Sequence, residues 1–170
     1  MTSDTKLRIV TTLVIVSLAT TVGIMLLRTP REVRGSFQEV SPGMILPPPS
    51  GYKWSKSQPT LVLALRIGCP HCENEMWFYD KLLALDRSQK PNVQLLAVLP
   101  DSEAKVKLAF GTRLVGLTKL ADVQLGPLHV PGTPTLILLD SRGFVQKRWI
   151  GELSPDEEEE VLAAIRAQTH

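Results

Sequence analysis

Cys69-Pro70-His71-Cys72 and, further along, Gly132-Thr133-Pro134-Thr135 are the two stretches that decide the fold class of this chain. The first holds the only two cysteines among 170 residues. It follows an apolar run, Leu61–Leu65, and precedes a helix-like stretch that begins at Glu73. A helix start offers free backbone N–H groups and the positive end of the helix dipole, and both stabilise a thiolate. The spacing therefore predicts two thiols at the start of a helix that can close a small disulfide ring.

Two other interpretations of the cysteine pair are open. Structural zinc needs four ligands, usually two such pairs, but there is no second pair and the other histidines are His129 and His170. A purely structural disulfide over so short a loop would constrain the unfolded chain little and would stabilise the fold weakly. Redox chemistry is therefore favoured, with no metal and no dissociable cofactor, because the two thiols carry the electrons.

Length and composition limit the architectures that this chain can adopt. The chain is long enough for one ordinary domain with appendages. A net charge of +2 with interspersed signs gives no case for nucleic acid binding. Two cysteines cannot staple a scaffold, so the core must come from apolar burial.

An uncharged segment, 9–27, predicts a membrane anchor behind a short tail at 1–8. A helix over these residues would rise about 28 Å, close to the thickness of a bilayer core. A cleaved signal peptide is the rival, with Ser17-Leu18-Ala19 as a cleavage site. The apolar run continues through Leu27 and exceeds a typical signal core, which favours a retained single-pass anchor.

The orientation of this anchor does not follow from charge, because positive residues flank both of its ends almost equally. A tethered thiol-disulfide domain is most useful where disulfides persist, so we expect it on the extracytoplasmic, periplasmic side. Residues 28–59 predict a tether, since Pro47-Pro48-Pro49 and further prolines favour extended backbone. Tyr52 and Trp54 suggest that part of it packs on the edge of the domain at 60–170.

From Thr60 onward the pattern alternates between strands and helices in the order β-α-β-α-β-β-α, which predicts an α/β layer with a mixed sheet flanked by helices. The predicted strands are Leu61–Leu65, Asn92–Leu99, Leu136–Leu139 and Phe144–Ile150, and the helices are Glu73–Leu85, Ser102–Val115 and one from an N-cap at Ser154 to about Ala167.

That order, with Cys-x-x-Cys after the first strand and Thr-Pro before the third, resembles the thioredoxin fold over residues 60–167. Within it, the chain is most similar to the membrane-anchored TlpA/ResA-like thioredoxins, a group that includes cytochrome c maturation reductases. The resemblance also rests on Val93–Pro100 with its following helix and on the turn Asp140-Ser141-Arg142-Gly143.

The resemblance implies roles by position. Cys69 corresponds to the attacking thiolate and Cys72 to the resolving thiol. Pro134 corresponds to the cis-proline beside the disulfide, and the backbone at Thr133 would pair with a partner as an added strand.

Residues around the pair are expected to tune it. The Pro70-His71 dipeptide resembles that of DsbA-like oxidases, and a cationic His71 should depress the pKa of Cys69, unless the imidazole merely faces solvent. Arg66 is a further nearby positive charge. This chain differs from thioredoxin at two positions. Gly68 stands where many thioredoxins have a tryptophan, and Leu63 stands where thioredoxin has the buried acid that takes up a proton.

The leading hypothesis is a membrane-tethered, monomeric thiol-disulfide oxidoreductase that exchanges disulfides with partner proteins through Cys69 and Cys72. Its group suggests cytochrome c maturation or antioxidant roles. An alternative is a copper-binding module in which His71 or His129 adds a ligand to the two thiols. A peroxiredoxin-like peroxidase ranks lower, because the Pro-x-x-x-Thr-x-x-Cys pattern is missing around both cysteines.

Overall fold

The computed structural model describes residues 38–89, 92–111 and 113–168. The predicted tail, the predicted anchor at 9–27 and the first part of the predicted tether lie outside these residues. No helix within the described part of the chain is long and apolar enough to cross a membrane. The elements in the described residues are β1 (Thr60–Ala64), α1 (Pro70–Asn74), α2 (Met76–Gln89), β2 (Gln94–Val98), α3 (Glu103–Phe110), β3 (Thr118–Leu120), a 3-10 turn (Gly126–Leu128), β4 (Thr135–Leu139), β5 (Val145–Ile150) and α4 (Pro155–Arg166).

The strands form one mixed sheet in the order β3-β2-β1-β4-β5. Strand β1 lies at its centre, parallel to β2 and antiparallel to β4. All five residues of β1 and of β4 are buried, as expected for continuous apolar strands covered on both faces. The register pairs Ala64, the last residue of β1, with Thr135, the first residue of β4. The segments that follow β1 and precede β4 therefore meet at one end of the sheet.

One face of the sheet is covered by helices. Side chains of β1, β2 and β4 pack there against Phe78 and Tyr79 of α2, against Phe110 of α3, and against Val161 and Ile165 of α4. The last helix begins as the sequence predicts. Ser154 accepts a hydrogen bond from the N–H of Glu157, and the Glu157 side chain bonds back to the Ser154 N–H in a capping box.

The other face is covered by residues 38–54, which we name the N-terminal strap, together with the loop before β4. Val40 and Leu46 of the strap are fully buried against β1 and β4. Backbone bonds join the strap to the β4–β5 hairpin: the N–H of Leu46 donates to Gly143 at 3.0 Å, and the N–H of Val145 donates to Met44 at 2.8 Å. The folded unit therefore takes in residues that precede Thr60, and Trp54 packs on it as the sequence suggests.

Three features differ from the predicted elements. The predicted helix Glu73–Leu85 is divided, because Glu75 adopts φ −85° and ψ −1° and ends α1 before α2 begins. Strand β3 was not predicted: it has three residues, and so short an edge strand shows no readable alternation. The predicted helix Ser102–Val115 is also shorter, ending at Phe110.

Candidate active site

The two cysteines occupy different positions at the start of α1. Cys69 is the N-cap residue, with φ −84° and ψ 113°, and it is partly exposed. Cys72 lies within the first turn and is only 3% exposed. Gly68 brings the chain into this turn with φ +72°, a conformation that residues with a side chain adopt rarely. Both thiols are free, so this is the reduced pair.

Hydrogen bonds favour the thiolate of Cys69. Partial burial raises the pKa of this thiol, but hydrogen bonds with the Thr133 side chain, with the backbone N–H groups of Cys72 and His71, and with the Cys72 thiol lower it, and the net shift is downward. The N–H groups are those left without partners at a helix start. The predicted stabilisation of Cys69 by the start of the helix is thus consistent with the local geometry.

Cys72 is shifted in the opposite direction. Its burial raises the pKa of the thiol to about 12, despite a backbone hydrogen bond from Arg66 that lowers it. A buried thiol has no water to stabilise its charge, so it stays protonated at neutral pH. The pair therefore combines one ionisable, reachable sulfur with one protonated, buried sulfur.

The loop before β4 lies against Cys69. The Thr133–Pro134 peptide bond is cis, as the sequence motif predicts. In the reduced pair, the Cys69 thiol donates to the carbonyl oxygen of Thr133 at 3.2 Å. Thr135 fixes the loop through its hydroxyl, which donates to the carbonyl of Gly132 at 2.8 Å. The structure thus brings Thr133 into contact with Cys69, and the roles of Thr133 and Pro134 in binding a partner stay predictions.

His71 is exposed and is bound to a residue that sequence reasoning missed. Its Nδ1 atom lies 2.9 Å from Oε2 of Glu152, with 65% of the His71 side chain accessible to solvent. The hydrogen bond with Glu152 raises the pKa of His71, and the charges of Glu152 and of the Cys69 thiolate act in the same direction. The expected cationic imidazole is therefore favoured, but a carboxylate accompanies it.

Pro70 and Arg66 are the other two residues that the sequence predicts to tune the cysteine pair. Pro70 is the first residue of α1, a position where its missing N–H costs nothing. Arg66 reaches the cysteines through its backbone: its carbonyl accepts from the N–H of Cys69 at 3.4 Å. Its side chain is exposed, and a role for its charge stays a prediction.

A buried carboxyl near the pair was also missed. Glu75 is 3% exposed, and its Oε1 accepts a hydrogen bond from the N–H of Leu153, while its Oε2 has no partner among the described residues. Burial raises the pKa of Glu75. It lies three residues after Cys72, a spacing that brings side chains to one face of a helix. That spacing was the signal available in the sequence.

Tyr79 completes this buried polar group. Its side chain is 1% exposed, and its hydroxyl has no hydrogen-bond partner among the described residues. Burial raises the pKa of Tyr79, and the charges of Cys72, Glu75 and Cys69 raise it further. Its backbone N–H donates to the carbonyl oxygen of Glu75 at 3.1 Å.

Both histidines of the copper alternative have other partners, since His71 is bound to Glu152 and His129 to the strap. Nδ1 of His129 bonds to the carbonyl oxygen of Gln38 in the strap at 2.8 Å. Within the residues that the structure describes, no group of three or more His, Cys, Asp and Glu side chains could hold a metal ion. The geometry therefore gives the copper alternative no added support.

Comparison with known proteins supports the fold. No family model and no curated protein matches the chain. A protein from Chlorobium tepidum assigned as thiol:disulfide interchange protein DsbE is similar over 78% of this chain and 100% of its own, with 17% identity and a TM-score of 0.61. The thioredoxin domain of a thiol-disulfide oxidoreductase from Bacteroides vulgatus is similar over 75% and 99%, with 18% identity and a TM-score of 0.56. StoA from Bacillus subtilis is similar over 62% and 83%, with 21% identity and a TM-score of 0.51. The chain has a thioredoxin-like fold, and its predicted resemblance to these oxidoreductases is confirmed at the level of the fold.

Proposed function

We propose that this thioredoxin-fold protein is a thiol-disulfide oxidoreductase that exchanges disulfides with partner proteins through Cys69 and Cys72. The observation that carries the proposal is the asymmetry of the pair. Cys69 is reachable and its pKa is lowered, whereas Cys72 is buried and its pKa is raised to about 12. A reachable thiolate can attack a partner, and a protected thiol three residues away can then release it.

The reaction runs in two exchanges when a partner disulfide is reduced. The Cys69 thiolate attacks one sulfur of the partner, which forms a mixed disulfide and breaks the partner's S–S bond, and the first partner sulfur leaves as a thiolate. Cys72 then loses its proton and attacks Sγ of Cys69, which closes the Cys69–Cys72 disulfide and releases the second partner sulfur. Two electrons pass to the partner, and the reverse sequence oxidises a partner dithiol.

Glu75 is the group that takes up the Cys72 proton in this proposal. A carboxyl with a raised pKa is a better proton acceptor than an ordinary exposed carboxylate. Its Oε2 is buried and has no partner among the described residues, so it is available for a proton. From the junction between α1 and α2, Glu75 would thus take the place of the buried acid that thioredoxin has where this chain has Leu63.

Partners would bind along the backbone at Thr133. The residue is partly exposed beside Cys69, and Pro134 after it is buried. An extended partner segment added here would place its cysteine next to the Cys69 sulfur, with main-chain hydrogen bonds providing the affinity.

The setting of this activity is a further part of the proposal. Residues 9–27 would anchor a monomer in the membrane, with the folded domain on the extracytoplasmic side, and cytochrome c maturation or antioxidant defence would be its pathway. Alkaline carbonate extraction of membranes tests the anchor: the full chain should stay in the pellet, and a chain beginning at Gln38 should be released. Release of both would contradict the anchor and would leave the redox activity unaffected.

Single substitutions test the redox proposal directly. Cys72→Ser should accumulate mixed disulfides with partner proteins, visible on diagonal gels, because the thiol that resolves them is missing. Cys69→Ser should form none. Trapping by Cys69→Ser instead would reverse the assignment, and failure of the wild-type pair to exchange with glutathione would contradict the function. A titration of the cysteine pair with glutathione also gives the direction of electron flow. A reduction potential of about −270 mV indicates a reductase, and one of about −120 mV indicates an oxidant.

A further inference from the structure

The loop between β5 and α4 makes hydrogen bonds with three parts of the candidate active site. The N–H of Gly151 donates to the carbonyl oxygen of Pro134 at 2.8 Å. The N–H of Leu153 donates to the buried carboxyl of Glu75. Between them, Glu152 turns outward to α1. Three consecutive residues therefore tie together the cis-proline loop, the buried acid and the helix that carries the cysteines.

Glu152 receives two side chains of α1. Its Oε2 lies 2.9 Å from Nδ1 of His71, and the amide nitrogen of Asn74 lies 3.4 and 3.5 Å from its two carboxylate oxygens. His71 and Asn74 are three residues apart and so share one face of the helix. The carboxylate is thus shared by two polar side chains of the helix that Cys69 caps.

We propose that Glu152 is a positioning residue that fixes the charge and the orientation of His71, and thereby sets the redox equilibrium of the Cys69–Cys72 pair. The inference rests on the proposed function. It assigns a tuning role to a residue 81 positions from His71 and outside the Cys-x-x-Cys motif.

The contact with Glu152 fixes a proton on Nδ1 of His71. A carboxylate only accepts hydrogen bonds, so Nδ1 must carry a proton in this contact. The imidazole ring becomes a cation when Nε2 also binds a proton. The groups that act on that equilibrium are Glu152 from the loop and Cys69 at the N-cap, and both raise the pKa of His71, while desolvation lowers it.

The charges of His71 and Cys69 are coupled through their positions in one helical turn, because His71 follows the N-cap Cys69 by two residues and opposite charges at that separation favour each other. A protonated His71 therefore favours the Cys69 thiolate to the same extent as the thiolate favours a protonated His71. The thiolate exists only in the reduced pair, so stabilising it shifts the equilibrium towards reduction and makes the disulfide a stronger oxidant. Without the carboxylate of Glu152, His71 is less protonated near neutral pH, and this contribution falls.

The test uses the full chain in detergent and the reaction of its disulfide with two molecules of reduced glutathione, which yields the dithiol and oxidised glutathione. Glu152→Gln keeps an oxygen that accepts from Nδ1 but removes the charge. Near neutral pH we expect the equilibrium constant for reduction to fall about two- to fivefold, the size of an exposed charge pair. The pKa of His71, followed by NMR, should fall towards its ordinary value in the same variant.

Two comparisons show whether Glu152 acts through His71. Glu103→Gln removes the same charge from an exposed position at the start of α3, a different helix from the one that carries the cysteines, and should leave the constant unchanged. In a His71→Ala background, Glu152→Gln should cause no further fall. An unchanged constant for Glu152→Gln alone, or the same fall with and without His71, would overturn the inference. A wild-type chain that does not exchange with glutathione would instead contradict the proposed function.

Discussion

Sγ of Cys69 lies 3.2 Å from the carbonyl oxygen of Thr133, although 64 residues separate the two in the chain. The contact follows from the sheet, because β1 leads into Cys69 and β4 starts just after Thr133, and these strands are antiparallel neighbours. Cys69 and the backbone at Thr133 therefore lie at the same end of two adjacent strands of one sheet.

The two thiols should differ in their reaction with iodoacetamide. Cys69 should be alkylated with a midpoint below the ordinary thiol range, because the helix N–H groups and Thr133 lower its pKa. Cys72 should remain unmodified through neutral and mildly alkaline pH, since burial raises its pKa to about 12. Mass spectrometry of peptides from the reduced chain measures both rates. In urea the two cysteines should react alike, and equal rates in the native chain would refute the asymmetry.

Glu75→Gln should slow the release of partners and yet stabilise the fold. The amide cannot accept the Cys72 proton, so mixed disulfides should persist longer. It does keep an oxygen for the N–H of Leu153 and avoids a buried negative charge. Because the pKa of Glu75 is raised in the folded state, the wild type loses stability as pH rises above the pKa of the unfolded carboxyl, at about 4.3.

Urea unfolding at several pH values measures the second effect. The variant should exceed the wild type in free energy of unfolding at pH 7, and the difference should vanish below about pH 4, where the carboxyl is protonated in both states. Exposed Glu73→Gln is the control and should show no such pH dependence. A variant less stable than wild type at pH 7 would mean that the carboxylate charge is needed by the fold.

Removing the N-terminal strap should destabilise the domain. A chain that begins at Ser55 lacks Val40 and Leu46, which are fully buried on the helix-free face of the sheet. Burial of each such side chain contributes about 1.5–3 kcal/mol, so a loss of at least about 3 kcal/mol is expected relative to a chain that begins at Gln38. Thermal melts and binding of a hydrophobic dye compare the two chains. Equal melting temperatures would show that the strap is only a tether.

Gly143→Ala should be far more disruptive than the same change at Gly51. Both glycines have positive φ, +87° and +77°, so each variant suffers the left-handed penalty of about 1 kcal/mol. At Gly143 a new Cβ would also lie 2.8 Å from Cδ1 of Trp54, whereas nothing lies within 4 Å at Gly51. Overpacking of this kind adds about 1–3 kcal/mol. Equal losses of unfolding free energy in the two variants would contradict the packing of Trp54 on the hairpin.

Local signals in the sequence were enough to predict many of the structural elements of this protein. The apolar strands, the position of Cys69 at a helix start, the cis bond before Pro134 and the cap at Ser154 were all predicted, because each depends on residues close together in the chain. A buried strand, a helix terminus and a turn each carry their own chemical pattern. The expected fold class followed from the order of these elements.

Only the tertiary structure decided how distant polar groups meet. Glu152 bonds to His71 across 81 positions and Glu75 bonds to Leu153 across 78, and neither partner carries a local pattern that names the other. The same holds for the strap, whose proline-rich sequence indicates extended backbone but not the sheet face that it covers. The physical reason is that such contacts depend on where the core brings loops together, whereas helix starts and buried strands depend on neighbouring residues.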